Sequence, residues 1–115
     1  MTYKEGQALW GQVSFSNGQA PAYNRPYLIV TVLTDKIGIV DISTVQGKEK
    51  KLLYKTNYHI SQYNPPLFKD SFAKLDSYRL IPLYTANRLK VMDGGKTLNQ
   101  SDLTAIKNKI LKPRA

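Results

Sequence analysis

The chain contains no cysteine and a single histidine, His59, among its 115 residues. The first absence excludes a disulfide framework and any thiolate metal site, and the second leaves carboxylates as the remaining metal ligands. Neither a metal nor a cofactor is expected. Acidic residues are also scarce: 8 Asp and Glu stand against 17 Lys and Arg, a formal net charge of +9. Such a surface favours polyanions or an acidic partner, with nucleic acid first among them. No stretch approaches the roughly 18 apolar residues of a membrane span. The opening MTYKEGQALWGQ has no basic region followed by a long apolar run. A cytoplasmic location away from membranes is therefore the expectation.

What is present suits one small domain, residues 1–115, since 42% of the residues are hydrophobic and the length falls short of two domains. Residues 8–15, ALWGQVSF, are apolar-rich and predict a strand. Turn formers from Ser16 to Asn24 predict an exposed loop. The run from Tyr27 to Leu33, YLIVTVL, is nearly all β-branched, aliphatic or aromatic. It predicts a strand covered on both faces and at the centre of the fold. Ile37–Thr44 reads as its antiparallel neighbour, followed by a basic loop from Val45 to Lys51. Further short strands are expected over 52–60, 71–75 and 78–84, with Asn64-Pro65-Pro66 interrupting the pairing. Leu103, Ile106, Ile110 and Leu111 recur at helical spacing, Asn99 is placed to cap, Asp102 falls in the first turn, and Pro113 ends the helix. The pattern predicts a mainly β (α+β) fold, a strongly bent sheet or small β-barrel closed on one side by a C-terminal α-helix.

Familiar catalytic patterns are missing. Gly94-Gly95-Lys96 lacks the spacing and setting of a phosphate-binding loop and reads as a turn before the last helix. His59 has no partner pattern for a nucleophilic triad and stays outside the candidate site. Arg25 lies between the flexible loop and the central strand, immediately before Pro26, where a scaffold can aim a guanidinium at a phosphate. The ordinary alternative for such a residue is a surface arginine or an ion pair.

Several segments, taken in order, resemble the MazF/PemK family of toxins from toxin–antitoxin systems. They are Tyr23-Asn24-Arg25-Pro26-Tyr27-Leu28-Ile29-Val30 behind ALWGQVSF, then Ile39-Val40-Asp41-Ile42-Ser43-Thr44, then Ser71 to Ile81, and finally Gly95 to Leu103. The resemblance implies an SH3-like barrel with a terminal helix, a homodimer, and a metal-independent endoribonuclease acting on single-stranded RNA. It also implies a separate antitoxin, whose acidic or amphipathic tail would cover the basic groove. Carried over by position, Arg25 would stabilise charge at the scissile phosphate, Ser43 or Thr44 would supply the hydroxyl, and Lys74 and Asp76 would be the cation and the acid–base carboxylate. RNA supplies its own 2′-hydroxyl nucleophile, so these groups suffice without metal. Gln19 stands where some members carry histidine, and Lys74 where relatives carry arginine. The residues expected to contact RNA are Gln19, Asn24, Lys48, Lys50, Lys51 and Arg79.

Two other readings accompany this one. A non-enzymatic SH3-like barrel could bind nucleic acid through basic loops and tyrosines such as Tyr23, Tyr58 and Tyr63. A CcdB-like toxin would share the fold and target a protein. The runs at 48–51 and 107–114 would follow an RNA backbone or simply form solvated faces.

Overall fold

A computed structural model describes residues 2–14 and 18–111. Its framework is a six-stranded antiparallel sheet in the order β4-β5-β3-β2-β1-β6. The strands are β1 (Ala8–Gly11), β2 (Arg25–Val32), β3 (Lys36–Thr44), β4 (Asn57–His59), β5 (Ser71–Pro82) and β6 (Lys90–Val91), with helices α1 (Leu83–Ala86) and α2 (Gln100–Leu111). The sheet is open, since β4 and β6 are its two edges.

The uninterrupted apolar run of β2 follows from its position. Leu28 and Val30 pack with Val40, Ile42, Leu67 and Ile106 on the face that α2 covers. Tyr27 and Ile29 pack on the other face with Leu9, Ile37, Ile39 and Ile81. Alternate residues from Tyr27 to Val30 thus enter two separate cores. The Tyr27 hydroxyl accepts a hydrogen bond from the Val13 N–H at 2.9 Å.

Four expectations change in detail. The first strand ends at Gly11, although Val13 beyond it is still buried; Phe15 lies outside the described residues, as does Pro113. The strand expected over 52–60 contracts to Asn57–His59, because Glu49–Leu53 winds into a 3₁₀ turn. The central strand, expected from Tyr27, already begins at Arg25. The strands expected at 71–75 and 78–84 join into one β5 that carries a wide bulge and stops at Pro82, where Leu83 and Tyr84 enter α1. The pairing of β5 with β3 runs from Ile39 opposite Arg79 to Asp41 opposite Lys74, so Val40 alone faces the four residues Leu75–Tyr78. The Ser77 hydroxyl closes this bulge, accepting from the Asp41 N–H at 2.7 Å and donating to the Lys74 carbonyl at 2.6 Å. Tyr78 within it lies over Gly38, where a β-carbon would come within 2.6 Å of the phenol oxygen.

Helix α2 is fastened at its first turn. The Asn99 side chain accepts from the Asp102 N–H at 2.8 Å and donates back to its carboxylate, a reciprocal cap. Asp102 is 1% exposed and also receives the Tyr58 hydroxyl and the N–H groups of Ser61 and Gln62. Burial pushes its pKa up, but bonds from Asn99, Tyr58, Gln62 and Ser61 outweigh this and bring it down to about 2. Burial, reinforced by the bond to Asp102, raises Tyr58 to about 12.

Because its folded pKa is depressed, Asp102 contributes stability above its ordinary value of 3.8 that is lost as pH falls toward about 2. Asp102→Asn is expected to cost about 2 kcal/mol at neutral pH. In urea unfolding followed against pH, the gap between wild type and variant should narrow across that acid window.

Candidate functional site

β2 begins, β3 ends and β5 begins at one end of the antiparallel sheet, and a cleft of about 580 Å³ opens there. The register explains the meeting. Tyr27 pairs with Asp41, Arg25 lies two residues before Tyr27 and Ser43 two after Asp41, which places them on adjoining strands about 4.8 Å apart. Lys74 enters from β5 opposite Asp41, and Thr44 lies opposite Ser71.

The structure therefore brings together Asn24, Arg25, Ser43, Thr44, Lys48, Lys51 and Lys74, all of which line the cleft. It does not bring in the others. Asp76 falls within the bulge of β5, is exposed, and does not line the cleft. Gln19 and Lys50 are exposed and stand outside it as well. Arg79 turns to the opposite side of Asp41, donating to its carboxylate at 3.0 Å and to the carbonyls of Ser14 and Ser77. His59 meets Asp70, with Nε2 and Oδ1 2.9 Å apart on an exposed edge.

Sequence reasoning missed Asp41 as a site component. It is 3% exposed, with one carboxylate oxygen bonded to Arg79 and the other 3.8 Å from Arg25 Nη1. A lone acidic residue inside the aliphatic run IVDIS was the available signal, since a buried carboxylate requires cationic partners. Lys69 and the aromatic residues Trp10 and Phe68 were missed too. Of the three tyrosines considered, Tyr58 is spent on Asp102 and Tyr63 packs against the core. Tyr23 lines the cleft, 60% exposed, with the Arg25 guanidinium 5.3 Å from its ring centroid.

The lining is electrostatically one-sided. Arg25, Lys48, Lys51, Lys69 and Lys74 supply cations, and no Asp, Glu or His lines the cleft among the described residues. Burial lowers the pKa of Lys74, and the charges of Arg25, Lys51 and Lys48 lower it further, against partial support from Asp41. Among the described residues no three His, Asp or Glu side chains form a group able to hold a metal ion. No helix among them is long and apolar enough to cross a membrane. No protein-family model matches the chain, and no curated protein matches it.

Such an arrangement can bind phosphate diesters, hold unstacked bases against Tyr23, Trp10 or Phe68, and stabilise negative charge that grows on a bound group. An anion in the cleft offsets the cations that depress Lys74. Its pKa, followed by NMR of the side-chain amine, should rise when a short uncleavable RNA binds. A Lys74 titration indifferent to RNA would place the anion elsewhere.

Proposed function

We propose that the protein is a metal-independent endoribonuclease acting on single-stranded RNA, with the cleft at the end of β2, β3 and β5 as its active site. The observation that carries this reading is the convergence of Arg25, Ser43, Thr44 and Lys74 with further lysines and exposed aromatics in one cation-lined cleft. The exposed aromatic side chains favour a single strand over a duplex, whose bases are already stacked on one another.

In the proposed reaction the 2′-hydroxyl attacks the adjacent phosphorus while the bond to the 5′-oxygen breaks. The products are a 2′,3′-cyclic phosphate and a 5′-hydroxyl. Arg25, steadied by Asp41 and stacked on Tyr23, and Lys74 face the charge that develops on the phosphorane oxygens. Ser43 and Thr44 offer hydroxyls beside them. The acid–base task passes from Asp76 to Lys74, the cleft group whose proton affinity is perturbed, with solvent as the second proton carrier.

The finer fold assignment belongs to the same proposal. A six-stranded sheet with two cores and a terminal helix is compatible with an opened SH3-like barrel. Exposed apolar residues at the opposite end of β2 and β3, including Val32 and Leu33, suit a homodimer. An acidic antitoxin tail would compete with RNA for the same cations. One observation favours a second reading, a cleft that binds RNA without cutting it: no carboxylate or imidazole lines it among the described residues.

Incubation of a long single-stranded RNA with the protein in EDTA separates the two. Defined fragments ending in cyclic phosphate support the ribonuclease, and intact RNA that is nevertheless bound supports the binding module. Arg25→Ala should lose at least about a hundredfold in cleavage while folding normally. Asp76→Asn should retain cleavage, and its inactivation would return the base role to Asp76.

A further inference from the structure

The basic segment after β3 has a role the cleft alone does not explain. It leaves the sheet at Val45, whose N–H donates to the Asp70 carbonyl at 2.9 Å, and turns so that the Lys48 N–H bonds the Val45 carbonyl at 2.7 Å. Glu49–Leu53 then forms the 3₁₀ turn, and the Asn57 side-chain amide donates to the Lys51 carbonyl at 2.9 Å, tying it to the start of β4. Lys48, which caps this turn, and Lys51 within it both line the cleft, while Lys50 lies outside it. The Lys48 amine donates to the Ser43 hydroxyl at 3.0 Å. Glu49, the nearest carboxylate in sequence, is engaged with the Gly47 N–H.

The charges do not balance around one phosphate. Asp41 partly offsets Arg25, but Lys48, Lys51 and Lys74 all remain, close enough for the first two to depress the third. A phosphodiester carries a single negative charge and would leave most of this cluster repelling itself.

We propose that Lys48, Lys51 and the Ser43 hydroxyl form a second phosphate seat beside the one at Arg25 and Lys74, so that the cleft grips two successive phosphates of one RNA strand. The inference rests on the reading of the cleft as an RNA site and requires no cleavage. On binding, the flanking phosphate receives the Lys48 amine in exchange for Ser43, and the strand is fixed in register before the scissile phosphate reaches Arg25. Substrate choice at this site then depends on chain length: one internal phosphate fills one seat, and a longer strand fills both.

The test compares wild type, the double variant Lys48→Ala/Lys51→Ala, and Lys50→Ala. The probes are two uncleavable 2′-O-methyl RNAs without terminal phosphates, a dinucleotide followed by NMR and a hexanucleotide followed by fluorescence anisotropy across a salt series. The double variant should bind the hexanucleotide about tenfold or more weakly, with its salt slope reduced by about 0.7 for one lost phosphate contact. Dinucleotide affinity should fall much less than hexanucleotide affinity, and the Lys50→Ala protein should match wild type. Equal weakening on both lengths would show that all the lysines serve one phosphate and would overturn the second seat, as would an unaffected hexanucleotide. Cleavable RNA is assayed in parallel. A wild type that binds with this length dependence but does not cut refutes the ribonuclease and leaves the seat standing. Normal cutting with no length dependence refutes the seat alone.

Discussion

One buried carboxylate organises the charged end of this protein. Asp41 sits in the middle of an aliphatic strand, 3% exposed, between the guanidiniums of Arg25 and Arg79. Removing one partner of such an assembly costs about 3–5 kcal/mol, because the remaining charge is left buried without compensation. The same residue anchors the bulge of β5 through its N–H and Ser77, and Ser77 returns its own carbonyl to Arg79. Charge pairing, bulge and strand register are therefore one structure. With one carboxylate set between two guanidiniums, the site beside it keeps a positive excess, which the lysines of the cleft enlarge.

That excess is maintained by the fold rather than by composition alone. Four of the acidic residues elsewhere are engaged: Asp102 at the start of α2, Asp70 with His59, Glu5 with Lys107 and Glu49 with a backbone N–H. The exposed aromatics Tyr23 and Phe68 occur in the same cleft as the surplus cations. Charge attracts any polyanion, whereas exposed rings reward one whose bases are unstacked. The proposed single-stranded substrate rests on their coincidence.

The parts of the fold legible in the sequence were those where local pattern and tertiary environment agree. Tyr27 to Val30 mark the central strand because both faces are covered there, whereas Val32 and Leu33, read as part of the same covered run, are exposed. Asn99 and Asp102 mark the start of α2 because the cap is a local interaction. The pairing of Arg25 with Ser43, Thr44 and Lys74 in one place was legible through the order of segments, which the antiparallel register then satisfies. Asp76 was misplaced because a bulge has no period: counting along β5 assumes one residue per position, and four residues there answer to one on β3. Residues 52–56 read as strand because Leu52, Leu53 and Tyr54 are apolar, yet Leu53 is 83% exposed and the segment begins inside the 3₁₀ turn that Asn57 holds. Short elements such as β6 and α1 owe their existence to neighbours, β1 for the one and the end of β5 for the other, and carry little signal of their own.

The central proposal is that the cation-lined cleft beside Asp41 is where a single-stranded polyanion sits. Its most direct measurement is a map of backbone and side-chain NMR shifts during titration with an uncleavable single-stranded RNA. The account predicts that perturbations concentrate on Tyr23, Arg25, Ser43, Lys48, Lys51, Phe68 and Lys74, and that His59, Asp76 and Lys50 move little. Perturbations centred away from that cleft, or none at RNA concentrations that bind other basic domains, would contradict it.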